Sequence, residues 1–500
     1  MFGRTNDPLI LSPLEQAGHR GYARPILCFA LNPSYVQDEV VRILQEGLSM
    51  TKEQVPYLAA EVVPDDDPEA DQKGCLGLQE TADLGELRVK RLDKTEFPLT
   101  YDEFRAKNFP IDLLLQDVFS PLPIFPTPGD RVPVFAAQAN FIEGGLLLSI
   151  CSYHLVADGF SIAKYLQLWA QNCRKVHTSS DGGSGDTVFL SSSAFDRAPL
   201  LYGHLSDPNK CDIKHHPELV LNDTPLPQTE RIPSIQRRFR ARIWHFTPDA
   251  IARLRADATA PGQRRVSMEE AVSALLWRCT VAAQIPSDAP LPQDSIATLA
   301  VPSRSRTFPH LAPDYMGCPL VYASAVVPLG DILNVSGDDD DREAAILQML
   351  ATTVKAEIDS VTAHRVATLV NTLQSPSMPD YQRLAPVSWA GLGKNSVFIS
   401  KWNDFPFYDA DWGVAFNGSG SSQVNGEKNG SGVGGGGYCE RVRTVSEGVL
   451  NGVQMILPPV PRGTGVDGKD GVEVLMAMEE GRSSEALASN PVWLKYALPA

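Results

Sequence analysis

The stretch Gly144-Gly145-Leu146-Leu147-Leu148-Ser149-Ile150-Cys151-Ser152-Tyr153-His154-Leu155-Val156-Ala157-Asp158-Gly159 organises the reading of the whole chain. It opens on a Gly-Gly turn signal and continues as an apolar run with the length and composition of a buried strand. Upstream, Val134 to Phe141 has the same character, so the pair predicts a hairpin closed at Glu143-Gly144-Gly145. Past Gly159 the period changes: Phe160, Ile162, Ala163, Tyr165, Leu166 and Trp169 recur at helical spacing. The pattern predicts strand, sharp polar turn and helix, with His154 and Asp158 where the backbone leaves the sheet. Functional side chains concentrate at such junctions, because rigid elements hold a loop that can face a cavity.

Two readings of this junction stay open. In one, His154 is a core histidine satisfied by a carbonyl, and Asp158 is only the N-cap of the next helix. In the other, His154 is a general base, suited to neutral pH by an ordinary pKa of about 6.5. Asp158 then fixes the loop without touching the proton.

Working outward, 500 residues exceed one core, so two or more domains are expected. Hydrophobic content of 43% and charged content of 21% are those of a globular protein. A net charge of −16 argues against nucleic acid or an anionic membrane as partner, while leaving room for a local basic patch that takes a phosphate. The eight cysteines include no CxxC pair, so neither a metal site nor a disulfide framework is indicated, and reduced thiols in a cytoplasmic protein are the simplest account. Met1 to Pro8 lacks the apolar core of a signal peptide, and no apolar run reaches the length of a membrane span. The acceptor triplet Asn334-Val335-Ser336 is then expected to go unused.

Along the chain, Leu9 to Leu11 and Pro25 to Leu31 read as strands and Val36 to Leu48 as a helix, before an acidic, solvated loop at Pro64 to Glu69. Residues 176–235 have the Ser, Asp, Gly and Pro content of a crossover, within which His215-His216 reads as exposed loop histidines. Arg242 to Phe246 is strand-like, and Thr247-Pro248-Asp249 has the chemistry of a helix start. Ser267-Met268-Glu269-Glu270 is a capping box at the head of a core helix running through Trp277 and Val281. Arg264 and Arg265 just before it make that helix N-terminus a candidate anion site. Ser396 to Trp402 is a strand, followed by several acids between Asp404 and Asp411. Paired acids can hydrolyse glycosides, but these lie close enough to be turn residues. Asn417 to Tyr438 is a Gly/Ser/Asn-rich insertion, read as disordered; no Gly-Lys-Ser/Thr follows, so it is no P-loop. Val449 to Leu457 and Gly471 to Met478 read as strands, and Pro491 to Tyr496 closes a last helix.

Taken in order, His154-x-x-x-Asp158-Gly159, the segments Val301-Pro302-Ser303-Arg304-Ser305-Arg306 and Tyr315-Met316-Gly317-Cys318, the strand Ser400-Lys401-Trp402 and the loop Asp411-Trp412-Gly413 resemble the BAHD family of CoA-dependent acyltransferases. The likeness is strongest toward the fungal branch with trichothecene acetyltransferases. Pro302 stands where the family has an acid, Cys318 where it has an asparagine, and Trp412, Val414 and Ala415 depart from its DFGWG loop.

The resemblance implies an α/β, two-domain, chloramphenicol-acetyltransferase-like fold. Each domain is a mixed β-sheet flanked by helices, with the active-site channel at the interface. The N-terminal domain spans 1–180 with a returning strand at about 386–416, the crossover 181–236, and the C-terminal domain 237–385 and 439–500, with the insertion at 417–438. The resemblance assigns His154 as catalytic base, Asp158 as its loop anchor, and Trp402 to the oxyanion or pocket. Ser400 and Tyr153 bind substrate. Asp411, Gly413, Arg304 and Arg306 are structural, one of the arginines anchoring Asp158. Arg264, Arg265 and Ser267 meet the CoA phosphates. Acetyl-CoA or another short acyl-CoA is a co-substrate, with no metal and no resident cofactor. The acceptor is a small-molecule alcohol, and the protein a cytoplasmic monomer. Three alternatives remain: a condensation-type enzyme using carrier-bound substrates, which usually has a second histidine where Tyr153 stands; a catalytically silent metabolite-binding protein; and a carnitine- or chloramphenicol-type transferase, whose surrounding motifs do not match this order.

Overall fold

The computed structural model describes residues 9–65, 72–81, 85–127, 129–177, 188–224, 239–285, 293–333, 340–418, 436–447, 451–461 and 470–500. The segment Met1 to Pro8, most of the acidic loop, the Asn334 triplet, parts of the crossover and most of the 417–438 insertion lie outside the described residues. In chain order, the elements that position the site begin with β1 (Ile26–Ala30), α1 (Gln37–Gln54), β2 (Leu87–Arg91), β3 (Phe135–Ile142), β4 (Gly145–Tyr153) and α2 (Gly159–His177). They continue with β5 (Phe239–Phe246), α3 (Met268–Gln284), β6 (Asp294–Pro302), β7 (Leu320–Pro328), α4 (Asp340–Ser360), β8 (Ser396–Lys401), β9 (Arg441–Arg443), β10 (Val453–Ile456) and β11 (Val472–Glu479).

These strands form two large mixed sheets. The first has the order β9-β1-β4-β3-β2, antiparallel except for the β2–β3 pair, with the short strand Tyr22–Ala23 added to the end of β4. The second has the order β7-β6-β8-β10-β11-β5, closed at one edge by Leu498–Pro499. In it β8 runs parallel to both β6 and β10. The predicted hairpin is present: Ile142 pairs with Gly145, leaving Glu143-Gly144 as a two-residue turn with Gly144 at φ +83°. Every residue of β3 and β4 is buried, as expected of strands covered on both faces. Helix α2 lies against α1, and Trp169 on α2 donates its indole N–H to the Leu44 carbonyl of α1.

Two expectations need correction. The segment 386–416 does not return a strand to the first sheet, because β8 sits in the middle of the second. The returning segment is β9, paired with β1. Its sequence, Arg441-Val442-Arg443, hides a strand behind two arginines, whereas the apolar run of β8 suits a central strand of either sheet. His216 is buried, not exposed: its ring bridges Glu218 at 3.2 Å and Thr372 at 3.1 Å, while His215 is exposed. The crossover there is packed, Leu219–Leu221 pairing with Leu384–Pro386.

The arginines of β9 explain how the two sheets are tied at this edge. Arg443 donates to both carboxylate oxygens of Glu473 on β11, at 2.7 and 3.2 Å, and Arg441 lies 3.7 Å from the same carboxylate. All three side chains are buried. Burial alone would raise the Glu473 carboxyl, but the two guanidinium groups reverse this and hold it below its usual range. A carboxyl lowered on folding contributes stability that is present above its unfolded pKa and is lost as pH falls through the folded value. Glu473→Gln leaves two buried cations without a counter-charge, and should lower the unfolding free energy by about 3–5 kcal/mol. Urea midpoints at neutral pH check this. A pH series should show the variant losing less further stability than the parent below about pH 5.

Candidate active site

A cavity of about 350 Å³ lies between the sheets, where the chain leaves β4, β6 and β8. Parallel pairing of β6 with β8 brings their carboxyl ends to one edge, so Arg304 beyond β6 and Ser400 to Trp402 at the end of β8 arrive together. The first sheet supplies His154, the residue after β4, from the opposite side. Its backbone N–H donates to the Gly21 carbonyl at 2.8 Å, fixing the exit of the chain. Its Nδ1 lies 3.9 Å from the Cys318 thiol. Burial pushes the His154 pKa below 6.5, with its own backbone and Asp158 offsetting only part of that shift. The Cys318 thiol is pushed well up by burial, so it stays protonated at neutral pH.

Asp158 combines both readings of the junction. Its Oδ1 accepts from the Ser161 N–H at 3.0 Å, which caps α2. The same carboxylate forms a bidentate pair with Arg304, at 2.5 and 2.8 Å. Arg304 also donates to the Tyr315 and Gly317 carbonyls and packs over the Phe160 ring. Ser161 adds a hydrogen bond from its hydroxyl to the Gly317 carbonyl at 2.8 Å. The next residue, Gly159, must lack a side chain, since a Cβ there would overlap the Phe405 ring.

Trp402 and Ser400 both line the cavity, and the indole N–H of Trp402 donates to the Ser400 hydroxyl at 3.1 Å. That N–H is therefore directed at Ser400. Arg306 is placed elsewhere, donating to the Ile358 and Val361 carbonyls at the end of α4. Asp411 braces the far end of α2: it accepts from Arg174 at 3.0 Å and from the backbone N–H groups of Gly413 and Gly437 at 2.9 Å. Gly413 has φ +95°, a conformation that favours glycine. Tyr153 does not line the cavity. Its side chain points into the first core against Tyr22, with ring centroids 5.3 Å apart, because it sits one alternation away from His154.

The region ahead of α3 is less suited to an anion than its sequence suggests. Ser267 is committed to the capping box, its N–H donating to Glu270 and its hydroxyl oxygen accepting from the Glu270 N–H. Glu269 and Glu270 already place negative charge in the first turn. Arg264 and Arg265 are exposed, and Arg265 donates to the Ala252 carbonyl. The helix start does approach the Trp402 loop, through a 2.9 Å hydrogen bond from Asn403 to Glu269.

Several lining residues belong to no motif. His19 stands edge-on to His154 with ring centroids 6.1 Å apart, and is 5.8 Å from the Trp389 ring. Arg24, Tyr322, Phe398 and Met455 come from four separate segments. Glu15, fully buried, accepts from Arg197 at 2.9 Å and reaches Tyr315 and the Cys318 N–H. A lone polar residue carries no periodic signal, so only the assembled fold reveals these.

The chain matches the Transferase family over residues 107–430 and the trichothecene 3-O-acetyltransferase-like N-terminal domain over residues 22–173. It is 26% identical to an eremophilane O-acetyltransferase of Penicillium rubens, over 78% of this chain and 83% of that one. It is 24% identical to the trichothecene 8-O-acetyltransferase of Fusarium sporotrichioides, over 81% and 84%. Its fold is similar to that of F. graminearum TRI101, solved with coenzyme A and deoxynivalenol, with a TM-score of 0.75 and 18% identity over 98% of this chain and 99% of that one. The chain belongs to the Transferase family, the BAHD-type CoA-dependent acyltransferases. Within it, this protein is a CoA-dependent acyltransferase of the fungal, trichothecene-acetyltransferase-like branch. Among the described residues no helix is long and apolar enough to cross a membrane.

The Asp158–Arg304 pair gives a prediction that needs no substrate. Asp158→Asn leaves a largely buried guanidinium without its counter-charge, and should cost about 3–5 kcal/mol in unfolding free energy. Replacing both residues together by apolar ones of similar size should cost less than Asp158→Asn alone, as a double-mutant cycle in urea would report.

Proposed function

We propose that this protein transfers an acetyl group from acetyl-CoA to a hydroxyl of a small, largely apolar secondary metabolite, with His154 as general base. The observation that carries the proposal is the placement of His154: in a cavity between the sheets, with Nδ1 against Cys318 and its imidazole kept neutral by burial. Nε2 is then the nitrogen for the substrate. It takes the proton from the acceptor hydroxyl as the hydroxyl oxygen attacks the thioester carbonyl. The tetrahedral oxyanion is met by the Ser400 hydroxyl, whose oxygen already accepts from Trp402 and whose own proton can be donated into the cavity. Collapse expels the CoA thiolate, and His154 returns the proton to sulfur. Both oxygens of Asp158 are engaged by Arg304, which supports a positioning role for it. The relatives named as O-acetyltransferases of eremophilanes and trichothecenes support hydroxyl acceptors and acetyl donors. The exposed Arg264 and Arg265 are assigned to the CoA phosphates on the family resemblance, against the acidic first turn of α3, and the protein acts as a cytoplasmic monomer.

His154→Ala should abolish acetyl transfer, followed as thiol release with product mass, while leaving the unfolding midpoint nearly unchanged; near-normal turnover in that variant overturns the mechanism. Because the base must be neutral and its pKa is lowered, kcat/KM should rise with pH through a midpoint below about 6.5 and be flat around pH 7–8. Ser400→Ala should reduce kcat by about 10²–10³-fold, the usual effect of deleting one oxyanion donor.

A further inference from the structure

The cavity holds one buried charge that acetyl transfer leaves without a role. Arg24 follows the short strand Tyr22–Ala23, lines the cavity and is only 5% exposed. Its guanidinium donates to the Gln116 side-chain carbonyl and to the Glu447 backbone carbonyl, and both acceptors are neutral. The Glu447 carboxylate accepts from the Gln116 N–H and acts on Arg24 only from beyond ion-pair distance, offsetting a part of the effect of burial. Among the described residues no carboxylate lies within ion-pair distance of Arg24, whereas Arg304, Arg197 and Arg443 at the same seam are each met by an acid. Burial lowers the Arg24 pKa to about 10, so it remains a cation at neutral pH.

A buried cation is costly unless something answers its charge. Guanidinium carries five N–H donors in a fork that fits a carboxylate with two parallel bonds, and the structure uses only two of the five. Ile124, Tyr322, Phe398, Val453 and Met455 give the cavity apolar walls, and Lys401 and Asp404 also line it. Gly21, whose carbonyl holds the His154 backbone, is three residues before Arg24, with the strand Tyr22–Ala23 between them.

We propose that Arg24 is the anion-recognising residue of the acceptor subsite, and that the preferred acceptor is an apolar, ring-fused hydroxy acid. Its hydroxyl meets His154, and its carboxylate pairs with Arg24 elsewhere in the same cavity. This inference rests on the acetyl-transfer reading above, and its test is a binding measurement that stands apart from turnover. The His154→Ala variant, saturated with CoA, is titrated calorimetrically with sesquiterpenoid, diterpenoid and naphthoic hydroxy acids and with the methyl ester of each. At least one acid should bind ten-fold or more tighter than its ester. Adding Arg24→Gln should erase that preference, while Arg24→Lys, which keeps the charge and guards against a merely misfolded variant, should retain part of it. No binding by any acid, equal binding of acid and ester, or a preference unchanged by Arg24→Gln would overturn the proposal. So would a loss confined to CoA affinity, which would assign Arg24 to the donor. Acids that bind in an Arg24-dependent way but are never acetylated by the unaltered protein would overturn the transfer reading alone.

Discussion

The bidentate pair between Asp158 and Arg304 is the contact on which the rest of the site depends. Asp158 belongs to the loop after β4 and Arg304 to the turn after β6, so one ion pair joins the two sheets next to His154. The arginine spreads its remaining donors over the Tyr315 and Gly317 carbonyls, and Ser161 closes the set by donating to Gly317. The aspartate has both oxygens occupied and the cap of α2 to maintain. Its place is therefore that of an anchor for the loop that carries His154, which leaves the proposed proton chemistry to the imidazole.

The same device recurs along the seam. Glu15 joins Arg197 to the segment bearing Tyr315 and Cys318, and Glu473 joins both arginines of β9 to the second sheet. Apolar cores lie against both sheets, and one of them is shared: it joins residues of the first sheet to Ala241, Ile243, Leu475 and Ala477 of the second. Apolar packing supplies most of the stability and is tolerant of small sliding movements, because it has no direction. Buried ion pairs add little net stability, yet a misplaced one leaves an unanswered charge. Placing them where two sheets meet selects one relative position, which a cavity built from both halves requires.

The sequence revealed what is periodic or contiguous. The β3–β4 hairpin, the capping box at Ser267, and His154 with Asp158 at the strand-to-helix junction are all local patterns, and all are present. The β9 strand escaped because two charged residues out of three deny it an apolar alternation, and their partner Glu473 is remote in sequence. The placement of β8 escaped for the opposite reason: an apolar run declares burial, but not which sheet buries it. Tyr153, which the family resemblance assigned to substrate, packs in the first core, since alternation along a strand sends neighbouring side chains to opposite faces. His19 and Arg24 are single residues in unremarkable segments, and only the pairing of Tyr22–Ala23 with β4 carries them to the cavity.

Magnitudes indicate why position matters more here than the strength of any one group. A general base contributes typically about 10²–10⁴-fold, and one oxyanion donor about 10²–10³-fold. Holding two reactants in line can contribute about 7–11 kcal/mol, but only if their separation is kept within a fraction of an ångström. In this protein the proposed base, His154, comes from the first sheet, and the Ser400–Trp402 pair from the second. A shift of one sheet against the other would separate the proposed base from the proposed oxyanion donor, and would also disturb the apolar cluster that the two sheets share. The ionic seam, with Asp158 and Arg304 at its centre, opposes that shift. On the proposed mechanism, the rate then depends on contacts that never touch the substrate.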